Sequence, residues 1–153
     1  MPETEKEEEP GTLPIDDKKL ESEYLFVYGG LKRGGIYHKN GLDGAEFVGE
    51  AMSRKGKYSL FTPNDAWPML MKGHYRVKGE LYKVNKAILN RVDWIEGHPQ
   101  LFERVLFKIK GLKDLVYVYR ASERLIKAYE DVKYDSDYIV TDKQACSQEW
   151  ILP

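Results

Sequence analysis

Two features of the sequence carry residue types suited to chemistry. The first is a carboxylate at the end of an amphipathic helix. Residues 86–96 place Ile88, Leu89, Val92 and Ile95 at helical spacing, with Asn85 positioned as N-cap and Gly97 and Pro99 as stop signals. At about 100° per residue, with Ile88 at zero, Val92, Leu89 and Ile95 fall at about 40°, 100° and 340°. Glu96 falls at about 80°, inside that apolar stripe. A carboxylate there loses hydration and sits at the negative end of the helix dipole. Both effects favour its protonated form and raise its pKa, which suits a general base. The alternative is a frayed last turn that lets Glu96 swing to water. Asp93, about 60° away on the same wheel, either couples to the titration of Glu96 or serves in a cap or salt bridge.

The second feature is the stretch Tyr28-Gly29-Gly30-Leu31-Lys32-Arg33-Gly34-Gly35, glycines and cations directly after an apolar run. Glycines let backbone approach a ligand closely, and successive N–H groups in a turn can form an anion-binding nest. The stretch is not a P-loop, because Gly34 is followed by Gly35-Ile36, and no G-x-G-x-x-G is present. A glycine-rich hairpin without a ligand is the commoner use of such a segment. His38, His74 and His98 lack metal-ligand spacing and read as surface or hydrogen-bonding residues. Cys146 has no identifiable activating partner. Core packing is the default role of Trp67, which precedes Pro68.

The elements that must position these residues are mostly strands. Tyr24–Tyr28 reads as a buried strand that enters the glycine turn. Further strands are expected over Phe47–Met52, Lys57–Phe61, Tyr75–Val84, Arg104–Ile109 and Leu115–Arg120, the last two joined by a hairpin loop over 110–114. Tyr75, Val77, Gly79 and Leu81 alternate with Arg76, Lys78, Glu80 and Tyr82, the period of a sheet with one wetter face. A second helix, Ser122–Tyr129, is expected on the outside.

Composition bounds the function. With 153 residues, 42% apolar and 32% charged, the chain has the balance of one globular domain. Its apolar runs reach five residues, against the roughly 20 that a membrane-spanning helix needs, so no membrane association is expected. The glutamate-rich start does not read as a secretory signal, and a lone cysteine suits a reducing cytoplasm. Nine acidic and three basic side chains in residues 1–23 leave the remainder at a net +5. Residues 1–20 are expected to form an acidic disordered tail, and residues 21–153 a single domain. The lysines are scattered, without a basic helix or aromatic ladder, so no nucleic-acid partner is expected.

Taken together, the segments match a known pattern. Phe26-Val27-Tyr28-Gly29-Gly30-Leu31-Lys32-Arg33-Gly34 followed by Asn40 resembles the F-V-Y-G-T-L-[KR]-x-G…N signature of the γ-glutamylcyclotransferase-like family. Gly79-Glu80-Leu81-Tyr82-x-Val84, Leu89-x-x-Val92-Asp93-x-x-Glu96-Gly97 and Phe102-x-Arg104 follow in the family's order and spacing. The match is best to the γ-glutamylamine cyclotransferase branch. The resemblance implies an α+β fold, a small mixed β-barrel with flanking helices. It implies conversion of a γ-glutamyl amine or amino acid to 5-oxoproline with release of the amine, with no cofactor and no metal. By position, Glu96 corresponds to the family's catalytic carboxylate, and Tyr28, Gly29, Gly30 and Leu31 to its substrate-cradling loop. Gly30 replaces the usual Thr or Ser, and Phe102 the usual Tyr. Those departures leave a second reading open, a binding or regulatory protein on the same fold.

Overall fold

The computed structural model describes residues 20–153. The expected acidic tail therefore lies, but for Leu20, outside the described residues. Leu20 packs against the core, and the Glu21 N–H donates to Tyr117 Oη (2.8 Å).

In chain order the elements are β1 (Tyr24–Val27), α1 (His38–Gly41), β2 (Glu46–Met52), β3 (Tyr58–Phe61), β4 (Met69–Lys72) and β5 (Arg76–Lys83). They continue with α2 (Lys86–Glu96), β6 (Phe102–Phe107), β7 (Val116–Ala121), α3 (Glu123–Ala128), β8 (Ile139–Asp142) and β9 (Ser147–Trp150). A seven-stranded mixed sheet runs β6-β7-β1-β5-β9-β8, with β2 also paired to β5; β3 and β4 form a separate hairpin. β1 lies antiparallel to β5 and parallel to β7. The α+β class is as expected, but the sheet does not close into a barrel. Its two sides meet near the end of β2 in one antiparallel bridge, Ser53 to Ile109, flanked by Arg54 N–H to Lys108 O (3.0 Å) and Lys110 N–H to Met52 O (2.8 Å). The ladder of β2 with β5 is itself irregular, its register shifting between Phe47 and Gly49.

The centre of the sheet is buried on both faces, which is why β1 reads as a continuous apolar run. Leu25 and Val27 face α2, whose Ile88, Leu89 and Val92 cover that side with Tyr82 and Tyr117. Phe26 and Tyr28 face the other way, into a cluster with Leu70, Phe107, Val118 and Trp150. The helix ends as its sequence dictates. Asn85 Oδ1 accepts from Ile88 N–H (2.9 Å), and Gly97 adopts the left-handed conformation (φ 66°) with its N–H turned back to the Asp93 and Trp94 carbonyls. The last turn does not fray, so Glu96 stays where the helical wheel puts it.

Candidate active site

The turn after β1 is held from behind. Arg33 donates its backbone N–H to Glu80 Oε1 (2.9 Å) and pairs through its guanidinium with the same carboxylate (3.5 Å). His38 Nδ1 meets the Leu31 carbonyl at 2.9 Å. The Gly29 and Gly30 carbonyls accept from Lys32 and Tyr37 N–H groups, at 3.0 Å each. With the carbonyls used inside the loop, the N–H groups of Gly29, Gly30 and Leu31 meet no acceptor among the described residues. Gly29 is required sterically, because a Cβ there would lie 2.9 Å from Pro68 Cγ. The loop following β3 is thereby packed directly against the turn.

The turn, α2 and that loop enclose a cavity of about 270 Å³. Tyr28, Gly29, Gly30, Leu31 and Glu96 all line it, so the structure brings every residue singled out for the site to one place. Ile36, Tyr37, Leu101, Phe102, Tyr119, Leu125 and Trp67 are among the other wall residues. Trp67 thus faces the cavity as well as packing on Phe102 and Tyr129. Tyr119 and Leu125 carry no sequence signal of a site; they read as ordinary strand and helix core, and only the fold turns them inward.

Among the described residues Glu96 is the single carboxylate lining the cavity. As a whole residue it is half-buried, and it forms part of the cavity wall. Burial alone pushes its carboxyl from the ordinary 4.5 up to about 7. Asp93, one helical turn earlier, is handled differently. It pairs with Arg104 Nε (3.1 Å) and accepts from Tyr119 Oη (2.6 Å). The open choice for Asp93 resolves to a salt bridge. One carboxylate is tied into the framework, and the other keeps a raised pKa in an apolar space.

The Tyr28 and Tyr119 hydroxyls beside the cavity are occupied. Tyr28 Oη donates to the Tyr119 carbonyl (2.6 Å) and accepts from Leu70 N–H (3.2 Å), joining β1 to β7 and β4. Desolvation first, and then the nearby Glu96 charge, keep its pKa well above the ordinary value, so it stays protonated. Tyr28 therefore contributes a wall and a strut, while hydrogen-bonding capacity toward a ligand rests with the three N–H groups, the Glu96 carboxyl and the Tyr37 hydroxyl. Tyr28→Phe leaves a buried carbonyl and a buried N–H without partners. It is expected to cost about 2–4 kcal/mol in urea denaturation at pH 7. An unchanged midpoint would show that the two bonds contribute nothing. The remaining suspects lie elsewhere: His98 Nδ1 accepts from Arg104 N–H (3.0 Å), and His74 and Cys146 are exposed.

One cavity thus holds a carboxyl raised by burial and a row of turn N–H groups that meet no acceptor among the described residues. The chain belongs to the gamma-glutamyl cyclotransferase, AIG2-like family, whose model matches residues 25–139. It is 35% identical over 99 residues to the human gamma-glutamylaminecyclotransferase, covering 59% of this chain and 63% of that one. It is 25% identical over 127 residues to gamma-glutamylaminecyclotransferase C of Danio rerio, covering 78% and 82%. The crystal structure of an AIG2-like protein from Mus musculus superposes with a TM-score of 0.59 at 28% identity, covering 73% of this chain and 84% of that chain. Among the described residues no helix is long and apolar enough to cross a membrane.

Proposed function

We propose that the protein is a cyclotransferase that converts a γ-glutamyl amine or amino acid to 5-oxoproline and releases the amine, with Glu96 as general acid and base. The observation that carries this reading is the Glu96 carboxyl, raised to about 7 by burial and facing the Gly29–Leu31 turn across one cavity. In this reading the turn N–H groups hold the substrate's α-carboxylate and bend the chain over its own γ-carbonyl. The attack is intramolecular, so effective molarities of roughly 10⁵ M or more follow once that bend is fixed.

Two protons leave the α-nitrogen and two end on the released amine. Glu96 removes the first from the α-ammonium, which frees the lone pair to bond to the γ-carbon. The carboxyl then delivers that proton to the departing nitrogen as the amide C–N bond breaks. The second is lost once the attacking nitrogen is acylated, and ends on the free amine. No water is consumed. A pKa near 7 suits both halves, since the group must accept and return a proton within one turnover. The relatives' names support γ-glutamyl compounds as the substrate class. Mass-spectrometric detection of 5-oxoproline from a panel of γ-glutamyl amines and dipeptides tests the reading. Formation from at least one of them is expected, and none from any would leave the binding-protein reading in its place.

A further inference from the structure

The proposed function leaves the leaving group open, and the cavity wall speaks to it. Beyond the turn and Glu96, the lining is apolar: Trp67, Pro68, Leu101, Phe102 and Leu125, with the half-exposed Tyr37 beside them. Among the described residues no cationic side chain lines the cavity. Trp67 stands nearly perpendicular to Phe102, ring centroids 6.1 Å apart and planes at 84°, and Tyr129 backs it at 5.6 Å. These are edge-to-face arrangements of a built aromatic corner.

The loop that carries Trp67 is fixed in place. Thr62 Oγ1 accepts from Asp65 N–H (3.0 Å), Asn64 Oδ1 from Ala66 N–H (2.9 Å), and the Asp65 carboxylate from Tyr134 Oη and Ser136 Oγ, both at 2.6 Å. The corner is therefore formed before anything binds. At about 270 Å³ the cavity lies just under the ~300 Å³ at which small-ligand pockets usually begin, room for a γ-glutamyl unit and one further ring. A carboxylate next to the scissile nitrogen, as in γ-glutamyl amino acids, would meet ionised Glu96 and no cation. Phe102 brings no hydroxyl to this corner, and Gly30 none to the turn.

We propose that the corner formed by Trp67 and Phe102 is the leaving-group subsite and that the amine released is an arylalkyl amine, its ring packed against those two side chains. This rests on the cyclotransferase reading, and the test separates the two. The rate of 5-oxoproline formation is compared for γ-glutamyl-phenethylamide, γ-glutamyl-butylamide and γ-glutamyl-alanine. The aryl compound is expected to exceed the butyl one in kcat/KM roughly tenfold and the alanine one roughly a hundredfold. Trp67→Ala, and independently Phe102→Leu, should pull the aryl-to-butyl ratio toward one.

Calorimetric binding of the same compounds to Glu96→Gln reads the subsite without turnover and should give the same order. Turnover with no aryl preference overturns the subsite and leaves the cyclotransferase reading standing. An aryl preference in binding without turnover of any compound supports the subsite and overturns the reaction. No binding of any compound overturns both.

Discussion

Glu96→Gln is expected to lose about 10²–10⁴-fold in kcat on the best substrate, the usual contribution of a positioned acid–base group, while still binding it. The amide fills the same volume and cannot accept the ammonium proton. The same variant should be more stable than the wild type, and the sign follows from where the proton sits. In the folded chain burial raises the Glu96 carboxyl from 4.5 to about 7. Below 4.5 the group is protonated in both folded and unfolded chains, and burial of a charge costs nothing. Between 4.5 and 7 the unfolded chain ionises first, so stability is lost as the pH rises. Above 7 the full penalty of an ionised buried carboxylate is present, roughly 3 kcal/mol at most. Part of that is offset because an amide is also costly to bury. Urea denaturation should therefore show Glu96→Gln about 1–2 kcal/mol more stable than wild type at pH 8, with the gain gone at pH 4. A group that is both costly to the fold and needed for turnover is the mark of a functional carboxylate. Equal stability at both pH values, with full activity, would mean Glu96 is solvated and idle.

Arg104→Met is expected to cost about 3–5 kcal/mol, because it strips the cation from an enclosed ion pair. Arg104 side-chain exposure is 5% and that of Asp93 is 18%, with Nε 3.1 Å from the carboxylate. The guanidinium also lies over the Tyr117 ring, 4.9 Å from its centroid. With the cation gone, the Asp93 carboxylate keeps only Tyr119 as a side-chain partner, in surroundings that hydrate it in part. The pair joins α2 to β6, and through Tyr119 to β7, so it fixes the helix end that presents Glu96. Adding Asp93→Asn to Arg104→Met should restore most of the lost stability, since removal of both charges leaves no uncompensated ion. A double variant as unstable as the sum of the two single ones would show that Arg104 acts through packing on Tyr117 and not through Asp93.

The sequence made the helix of the site legible and much of the sheet less so. Helix α2 carries its own instructions, an apolar stripe with a capping asparagine and a left-handed glycine, and its observed span is the expected one. Strand β1 was visible because both its faces are buried. Strands β4 and β9 had no comparable signal, and β8 had only the short β-branched run Ile139-Val140-Thr141. β4 is Met-Leu-Met-Lys after a proline, without β-branched residues; β9 forms a four-residue hairpin ladder with β8 and joins the main sheet through a two-residue parallel pairing with β5, some seventy residues earlier. The near-closure at Ser53 and Ile109 is likewise a non-local contact that no local pattern encodes. For the cavity lining, spacing alone left the glycine turn and Glu96 each beside an ordinary structural alternative, and it was the family resemblance that singled them out. The committed state of the Tyr28 hydroxyl could not be read from the sequence, because its partners, Leu70 and Tyr119, lie 42 and 91 residues away.

The central claim is that the γ-glutamyl chain closes on its own nitrogen without water. Reaction of a turned-over γ-glutamyl amine in ¹⁸O-enriched water, followed by mass spectrometry of both products, tests it directly. The account predicts one molecule of unlabelled 5-oxoproline for each amine released, with the rate collapsing in Glu96→Gln. Release of the amine together with glutamate carrying ¹⁸O in its γ-carboxyl would contradict it, since that product requires hydrolysis.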